Sequence, residues 1–189
     1  LRRETNIKIY HPRMLSGHFQ SHYIKMFCKL LNPKKILEIG TYTGYGAISM
    51  AKNTADDTIV HTIDINDEIE DFTLKWIKKS GYENKIKYHI GDALKIIPDL
   101  NQKFDLIYID GDKRQYLDYY KTVFPFLNEK ALIIADNVLW SGKILNSELR
   151  ENDYDTRGII EFNEFVEKDD KVDSVILPVR DGLMIIYKK

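Results

Sequence analysis

An α/β fold is predicted for this chain: a mostly parallel, doubly wound sheet finished by an antiparallel hairpin. Three features predict it. Strand-length apolar runs alternate with stretches of helical periodicity along the chain. Acidic residues stand at or just past the ends of successive runs, at Glu38, Asp64, Asp92, Asp110 and Asp136. The last two runs are joined by Val179-Arg180-Asp181-Gly182, and Asp-Gly is a hairpin signal. Open sheets of this kind bind ligands outside the carboxyl ends of their strands, so the five carboxylates are expected to converge on one crevice. The competing reading is that strand ends are wet and suit carboxylates; it fits any one of the five better than all of them.

In order, Leu1 to Pro12 reads as polar and irregular, since the residue before a proline is biased away from helix. Ser16 is the expected N-cap of a helix through Leu30, with Phe19, Tyr23, Phe27 and Leu30 as its apolar face. Ile36 to Ile39 is the first strand, followed by the turn Gly40-Thr41-Tyr42-Thr43-Gly44 and a helix from about Tyr45 to Asn53. Ile59 to Asp64 is the second strand. A helix carrying Ile69, Phe72, Trp76 and Ile77 follows, closed by Gly81. Ile86 to Ile90 is the third strand, with a short helix ending near Pro98. Phe104 to Ile109 is the fourth, leading into Asp110 and an aromatic helix from Tyr116 to Phe126. Ala131 to Ala135 is the fifth, running into Asp136-Asn137. The segment from Val138 to Asp155 is long enough to suggest a functional lid. A helix over about Thr156 to Glu167 precedes the hairpin strands Ser174 to Pro178 and Leu183 to Tyr187. No repeat or linker interrupts the series, so residues 1–189 read as a single domain.

Composition narrows the function. Lys and Arg number 28 against 29 Asp and Glu, giving a net charge of -1 and a pI near 6.6. No global field draws the chain to nucleic acid or an anionic membrane. The single cysteine, Cys28, precludes an intrachain disulfide and reads as buried filler in a reducing compartment. No run is long enough to span a bilayer. The chain opens at Leu1 rather than methionine, which leaves room for a preceding segment; the expected location is the cytoplasm.

Two stretches carry chemistry. Gly40 and Gly44 let the backbone approach a ligand closely, and the next helix aims free N–H groups above the turn. Asp64, ending the following strand, stands where such sheets hold ribose hydroxyls; the pair points to an adenosine-type ligand. Asp110 with Asp136-Asn137 would place two carboxylates and an amide carbonyl at neighbouring strand tips. Hard oxygen donors without His or Cys suit Mg²⁺ or Ca²⁺ rather than zinc. Lys113 could reach the same place as a general base; a solvated loop lysine is the competing reading. Asp112 reads as a cap residue. The five histidines lack ligand spacing, although His18 and His22 are one turn apart. The Tyr116–Tyr120 run reads as helix packing.

Glu38-Ile39-Gly40-Thr41-Tyr42-Thr43-Gly44-Tyr45, Asp110-Gly111-Asp112-Lys113, Ala135-Asp136-Asn137-Val138 and Asp181-Gly182-Leu183 resemble the cation-dependent S-adenosylmethionine O-methyltransferases. That group includes catechol and caffeoyl-CoA O-methyltransferases and small bacterial relatives. The resemblance runs from about Met14 to Tyr187 and implies a Rossmann-like seven-stranded sheet. It assigns Glu38 and Gly40 to the methionine end of the cofactor, Asp64 to the ribose, and Asp92 with Ala93 to the adenine. Tyr42, Gly44, Tyr45, Ile65 and Asp110 complete the implied cofactor set, with Met14 and Ser16 from the N-terminal segment. Asp110, Asp136 and Asn137 match the metal ligands (Mg²⁺, with Ca²⁺ or Mn²⁺ as alternatives), and Lys113 matches the base. A homodimer is also implied, with residues 1–30 contributing to the dimer or substrate surface. Two positions depart from the pattern. Family members place a serine at Gly46, where it helps bind the cofactor's carboxylate. Catechol enzymes place a glutamate facing the substrate diol at Met184.

The expected reaction is in-line methyl transfer to a hydroxyl of a small vicinal-diol or phenolic acceptor, with Lys113 taking the proton. Trp140 and Tyr154 would wall the site; Trp140 reads equally well as a core anchor. One alternative acceptor is a hydroxylated uridine in tRNA, served by a basic rim of Lys8, Arg13, Lys143, Arg150 and Arg157. An NAD-dependent oxidoreductase is a further alternative, although Tyr42 stands where the dinucleotide fingerprint needs its second glycine. A nucleotide-binding protein without turnover is the last.

Overall fold

Branched and aromatic side chains flanked by Gly, Asp and Asn set the strands, and the computed structural model, which describes residues 1–146 and 152–189, places seven of them. They are β1 Lys35–Ile39, β2 Ile59–Asp64, β3 Ile86–Ile90, β4 Phe104–Ile109, β5 Leu127–Asp136, β6 Val172–Leu177 and β7 Leu183–Lys188. The helices are α1 Arg2–Lys8, α2 His18–Leu31, α3 Tyr45–Lys52, α4 Glu70–Ser80, α5 Ala93–Leu100, α6 Tyr116–Val123 and α7 Tyr154–Lys168. The sheet order is β3-β2-β1-β4-β5-β7-β6. The β1/β2, β2/β3 and β4/β5 pairs are parallel, whereas β7 runs antiparallel to β5 and β6. The predicted mostly parallel sheet with a terminal hairpin is therefore observed. The chain forms two compact units, Leu1–Ile96 and Ile97–Lys189.

In the first unit β1 is almost fully buried, as a parallel strand covered on both faces should be. Lys85 donates from Nζ to the carbonyls of Ala51 (2.6 Å) and Thr54 (3.1 Å), satisfying groups at the C-terminal end of α3. Gly81 closes α4 at φ 79°, as the sequence predicts. In the second unit the core gathers on β4, β5, α6 and α7. Tyr116, Tyr120 and Phe162 are buried and meet edge-to-face or tilted.

Three expectations need correction. Residues 2–8 are helical rather than irregular: Glu4 pairs with Lys8 (3.6 Å) and Lys75 (3.0 Å), and buried Thr5 meets Thr43, so tertiary contact holds a turn that proline alone argues against. The N-cap of α2 is Gly17 rather than Ser16, because the 3₁₀ turn Pro12–Met14 pulls Leu15 inward and delays the helix start. The buried face of α2 is Gln20, Ile24 and Cys28 rather than the aromatic stripe. That face packs on α3, which leaves Phe19 58% and Leu30 76% exposed. Burial pushes the Cys28 thiol up to about 12, so it is inert filler. The predicted strands of the core agree to within a few residues, with β5 beginning earlier, at Leu127. Within the expected lid, Trp140–Leu145 forms 3₁₀ turns broken by a kink at Ser141 (φ 55°) and Gly142 (φ 76°); residues 147–151 lie outside the described part. Among the described residues no helix is long and apolar enough to cross a membrane.

His61 and His89 stack on neighbouring strands with Nδ1 and Nε2 3.0 Å apart, so one ring must donate and the other accept. Burial, then His89, Lys35 and Lys87, lowers His61 from 6.5 to about 4, and burial lowers His89 too. A folded-state value below the unfolded one means the pair's contribution is complete above about pH 6.5 and is lost as pH falls toward 4. Thermal melts from pH 7 to 4 should therefore show a shallower decline for His61→Phe than for the native chain; identical slopes would contradict this.

Candidate active site

The glycine turn and its acidic partner lie in the first unit. β1 and β2 pair in parallel, with Glu38 opposite Thr62. Glu38 is 1% exposed, and Thr62 Oγ1 donates to its Oε2 at 2.5 Å. Thr62 has a single proton and spends it there, so Thr41 Oγ1 must donate across the 2.6 Å contact to Thr62. The Gly40 N–H reaches the Ile63 carbonyl (2.9 Å), extending the ladder into the turn. Tyr42 sits at φ 48°, its N–H donating to Asp64 Oδ2 (2.6 Å) and its carbonyl accepting from Thr73 (2.8 Å). Asn66 N–H takes Asp64 Oδ1 (2.9 Å). Burial raises the Asp64 carboxyl above its ordinary range, while the backbone N–H groups around it pull the other way. Its oxygens keep lone pairs for hydroxyl donors.

The other predicted cofactor residues are placed from this turn. The Gly91 N–H donates to the Asp64 carbonyl (2.8 Å), setting Asp92 and Ala93 beside the end of β2, where Asp92 Oδ1 accepts the Leu94 N–H (3.0 Å). Ile65 is 75% exposed and Tyr45 half-buried at the start of α3. The Tyr42 hydroxyl donates to the carbonyls of Tyr10 (3.1 Å) and His11 (3.2 Å), tying down the strap that bears exposed Met14 and half-buried Ser16. At Gly46, the position that departs from the family pattern, an added Cβ would overlap Glu38 Oε1, so a side chain there requires the buried carboxylate to shift.

The second unit holds the predicted ligands and base. The register of β4 against β5 ends at Ile109 beside Ala135, so Asp110 and Asp136 are the residues that follow the last paired positions of two adjacent parallel strands. Asp136 is 5% exposed; its Oδ1 accepts the Asn137 N–H (2.8 Å) and its Oδ2 the Tyr108 hydroxyl (3.2 Å). Asn137 lies at φ 60°. Lys113 is 9% exposed, so it is not a solvated loop lysine; its Nζ donates to Asp110 Oδ1 (3.0 Å) and to the Tyr116 hydroxyl (2.5 Å). Gly158 of α7 lets that helix lie on the Lys113 turn, since a Cβ there would stand 2.5 Å from the Lys113 carbonyl. Burial, with Asp110 and Asp136 next, raises the Tyr116 phenol well above its ordinary value and keeps it protonated. Asp112 is the cap predicted for it, accepting from Arg114 N–H (3.0 Å).

Asp110 is thus paired with the Lys113 ammonium, and the end of the neighbouring strand carries a second carboxylate, Asp136, followed by the amide residue Asn137. That donor set fits a hard divalent cation. Among the described residues no group of three or more His, Cys, Asp or Glu is gathered; the third candidate ligand here is the Asn137 amide. Trp140 is half-buried, its ring centroid 6.0 Å from Lys113 Nζ, and its indole N–H has no partner among the described residues. Met184 is buried on β7 opposite Ala135. The sequence reading missed the polar role of Tyr116, which it treated as packing; its spacing one helical turn after Lys113 was the available signal.

A parallel sheet with an antiparallel terminal hairpin, a glycine turn answered by an acidic strand end, and an aspartate–lysine cluster define a methyltransferase-type domain. A family model described as O-methyltransferase matches residues 1–189. Caffeoyl-CoA O-methyltransferase of Medicago sativa is 31% identical over 193 residues, covering 97% of this chain and 78% of the relative. Caffeoyl-CoA O-methyltransferase 1 of Eucalyptus globulus is 33% identical over 181 residues, covering 91% and 74%. The methyltransferase PaMTH1 of Podospora anserina, solved with SAH bound, superposes with a TM-score of 0.90 at 26% identity, covering 100% of this chain and 86% of that one. The O-methyltransferase TomG of Streptomyces achromogenes, in complex with SAM, shares the fold with a TM-score of 0.92 at 21% identity, covering 100% and 87%. The chain belongs to the O-methyltransferase family. Membership favours methyl transfer over the oxidoreductase and non-catalytic alternatives.

Gly46→Ala is expected to lower stability by about 1–3 kcal/mol through overpacking against Glu38. Urea unfolding of Gly46→Ala, Glu38→Ala and the double variant checks it. The double variant should lose less than the sum of the two, because removing the carboxylate removes the clash.

Proposed function

We propose that this O-methyltransferase moves a methyl group from S-adenosylmethionine to a hydroxyl of a small vicinal-diol or phenolic acceptor with the help of a divalent cation, most simply Mg²⁺. The observation that carries the reading is buried Lys113 paired with Asp110 at the end of β4, with buried Asp136 at the end of the adjacent strand. The sulfonium donor supplies an already activated methyl group, so the protein's task is alignment and an oxygen nucleophile. Asp64 would hold the donor's ribose hydroxyls, and buried Glu38 its amino group. Asp110, Asp136 and Asn137 would hold the cation, which when bound lowers the pKa of a coordinated hydroxyl. Lys113 Nζ accepts the acceptor's proton once it has given up its own, with Asp110 holding it in place at 3.0 Å. The indole N–H of Trp140, which has no partner among the described residues, suits an oxygen of the acceptor, and its ring would exclude water.

Caffeoyl-CoA is the acceptor named for the two plant relatives, which supports a phenolic substrate. Of the basic residues proposed for tRNA, Lys8 lies 3.6 Å from Glu4 and Lys143 3.9 Å from Asp153, so their charge is locally offset; Arg150 lies outside the described residues. That favours the small acceptor. The exposed apolar residues Phe19, Met26 and Leu30 of α2 support a homodimer.

Asp110→Ala and Asp136→Ala should fold and bind S-adenosylhomocysteine, yet lose about 100-fold or more of cation-dependent turnover. Full activity in excess chelator would remove the ion from the mechanism. Calorimetry on Asp64→Ala should show weakened S-adenosylhomocysteine binding, and strongly salt-dependent tRNA binding would reverse the choice of acceptor.

A further inference from the structure

Lys113 ends in an ammonium with three donors on a stem of four rotatable bonds, so something must aim it. Among the described residues its Nζ has two hydrogen-bond partners, Asp110 Oδ1 at 3.0 Å and the Tyr116 hydroxyl at 2.5 Å. Tyr116 is 0% exposed, and its ring stands edge-on to Phe162 with centroids 5.5 Å apart. Its hydroxyl has one proton to give. The better acceptor is the Asp136 carbonyl at 2.9 Å, with the Ile109 carbonyl farther at 3.4 Å. With the proton committed to the main chain, the phenolic oxygen can only accept from Lys113. One side chain therefore joins the lysine to the backbone of the strand that continues into Asn137, while Asp110 joins it to the end of the neighbouring strand. Held from both strands, the lysine has one direction of its ammonium left over.

We propose that Tyr116 is the positioning residue for Lys113, fixing its amine against the end of β5 so that the remaining direction faces the acceptor hydroxyl; this rests on Lys113 being the base. The ring also lies 4.6 Å from Nζ, and that contact survives loss of the oxygen. Tyr116→Phe therefore removes the aim without removing the packing.

Tyr116→Phe is expected to lower kcat about tenfold to hundredfold, as a misplaced reacting group does. The KM for S-adenosylmethionine and the affinity for S-adenosylhomocysteine should stay at native values. In a Lys113→Ala background the same substitution should have no further effect on kcat. A purely structural role would act equally in both backgrounds and weaken cofactor binding along with turnover. Native kcat in Tyr116→Phe, or an undiminished loss in the Lys113→Ala background, would overturn the proposal. Lys113→Ala at full activity would overturn the base assignment itself, and the positioning role with it. Should Tyr116→Phe fail to fold, Tyr116→4-aminophenylalanine, which keeps a hydrogen-bonding group at the same place, is expected to retain turnover. In native protein labelled with ¹⁵N-lysine, the Lys113 ammonium protons should exchange more slowly than those of the exposed lysines; exchange at the same rate would count against the proposal.

Discussion

The parallel register of β4 and β5 is the constraint on which the second unit's chemistry depends. With Ile109 beside Ala135, the next residues are two aspartates on adjacent strands, and neither can be moved without shifting a fully buried ladder. Two carboxylates so placed repel each other, and their shared field must be answered by positive charge. Lys113 supplies part of the answer.

The first unit solves a different problem with the same strand logic. A buried Glu38 is tolerable because Thr62 donates to it and Thr41 donates to Thr62, a chain in which each hydroxyl serves once as donor. Asp64 performs two tasks: it orders Tyr42 in its left-handed conformation and still offers lone pairs outward. The Gly46–Glu38 contact gives the departure from the family's serine a steric cause. In this chain the Glu38 carboxylate fills the space beside the start of α3 where a side chain at position 46 would stand.

The N-terminal region shows how a local pattern misleads. Aromatics at helical spacing along α2 look like a core face, yet the helix buries Gln20, Ile24 and Cys28 and packs on α3. Phe19 and Leu30 of the apolar stripe are left exposed. Tyr42 adds a tertiary link of the same kind, fastening the Tyr10–His11 strap to the glycine turn through main-chain carbonyls that no sequence pattern encodes.

Strand positions were legible in the sequence wherever a residue's place depends on its position along the chain. Apolar runs bounded by Gly, Asp and Asn locate strands, and residues just past them must stand at strand ends; Glu38, Asp64, Asp110, Asp136 and Asn137 follow from that alone. What only tertiary structure decided concerns direction across the chain: which face of α2 is buried, why Gly46 lacks a side chain, and that Tyr116 holds Lys113. Periodicity specifies which residues share a face, but the partner chooses the face, and a hydrogen bond between a side chain and a distant carbonyl leaves no trace in residue spacing.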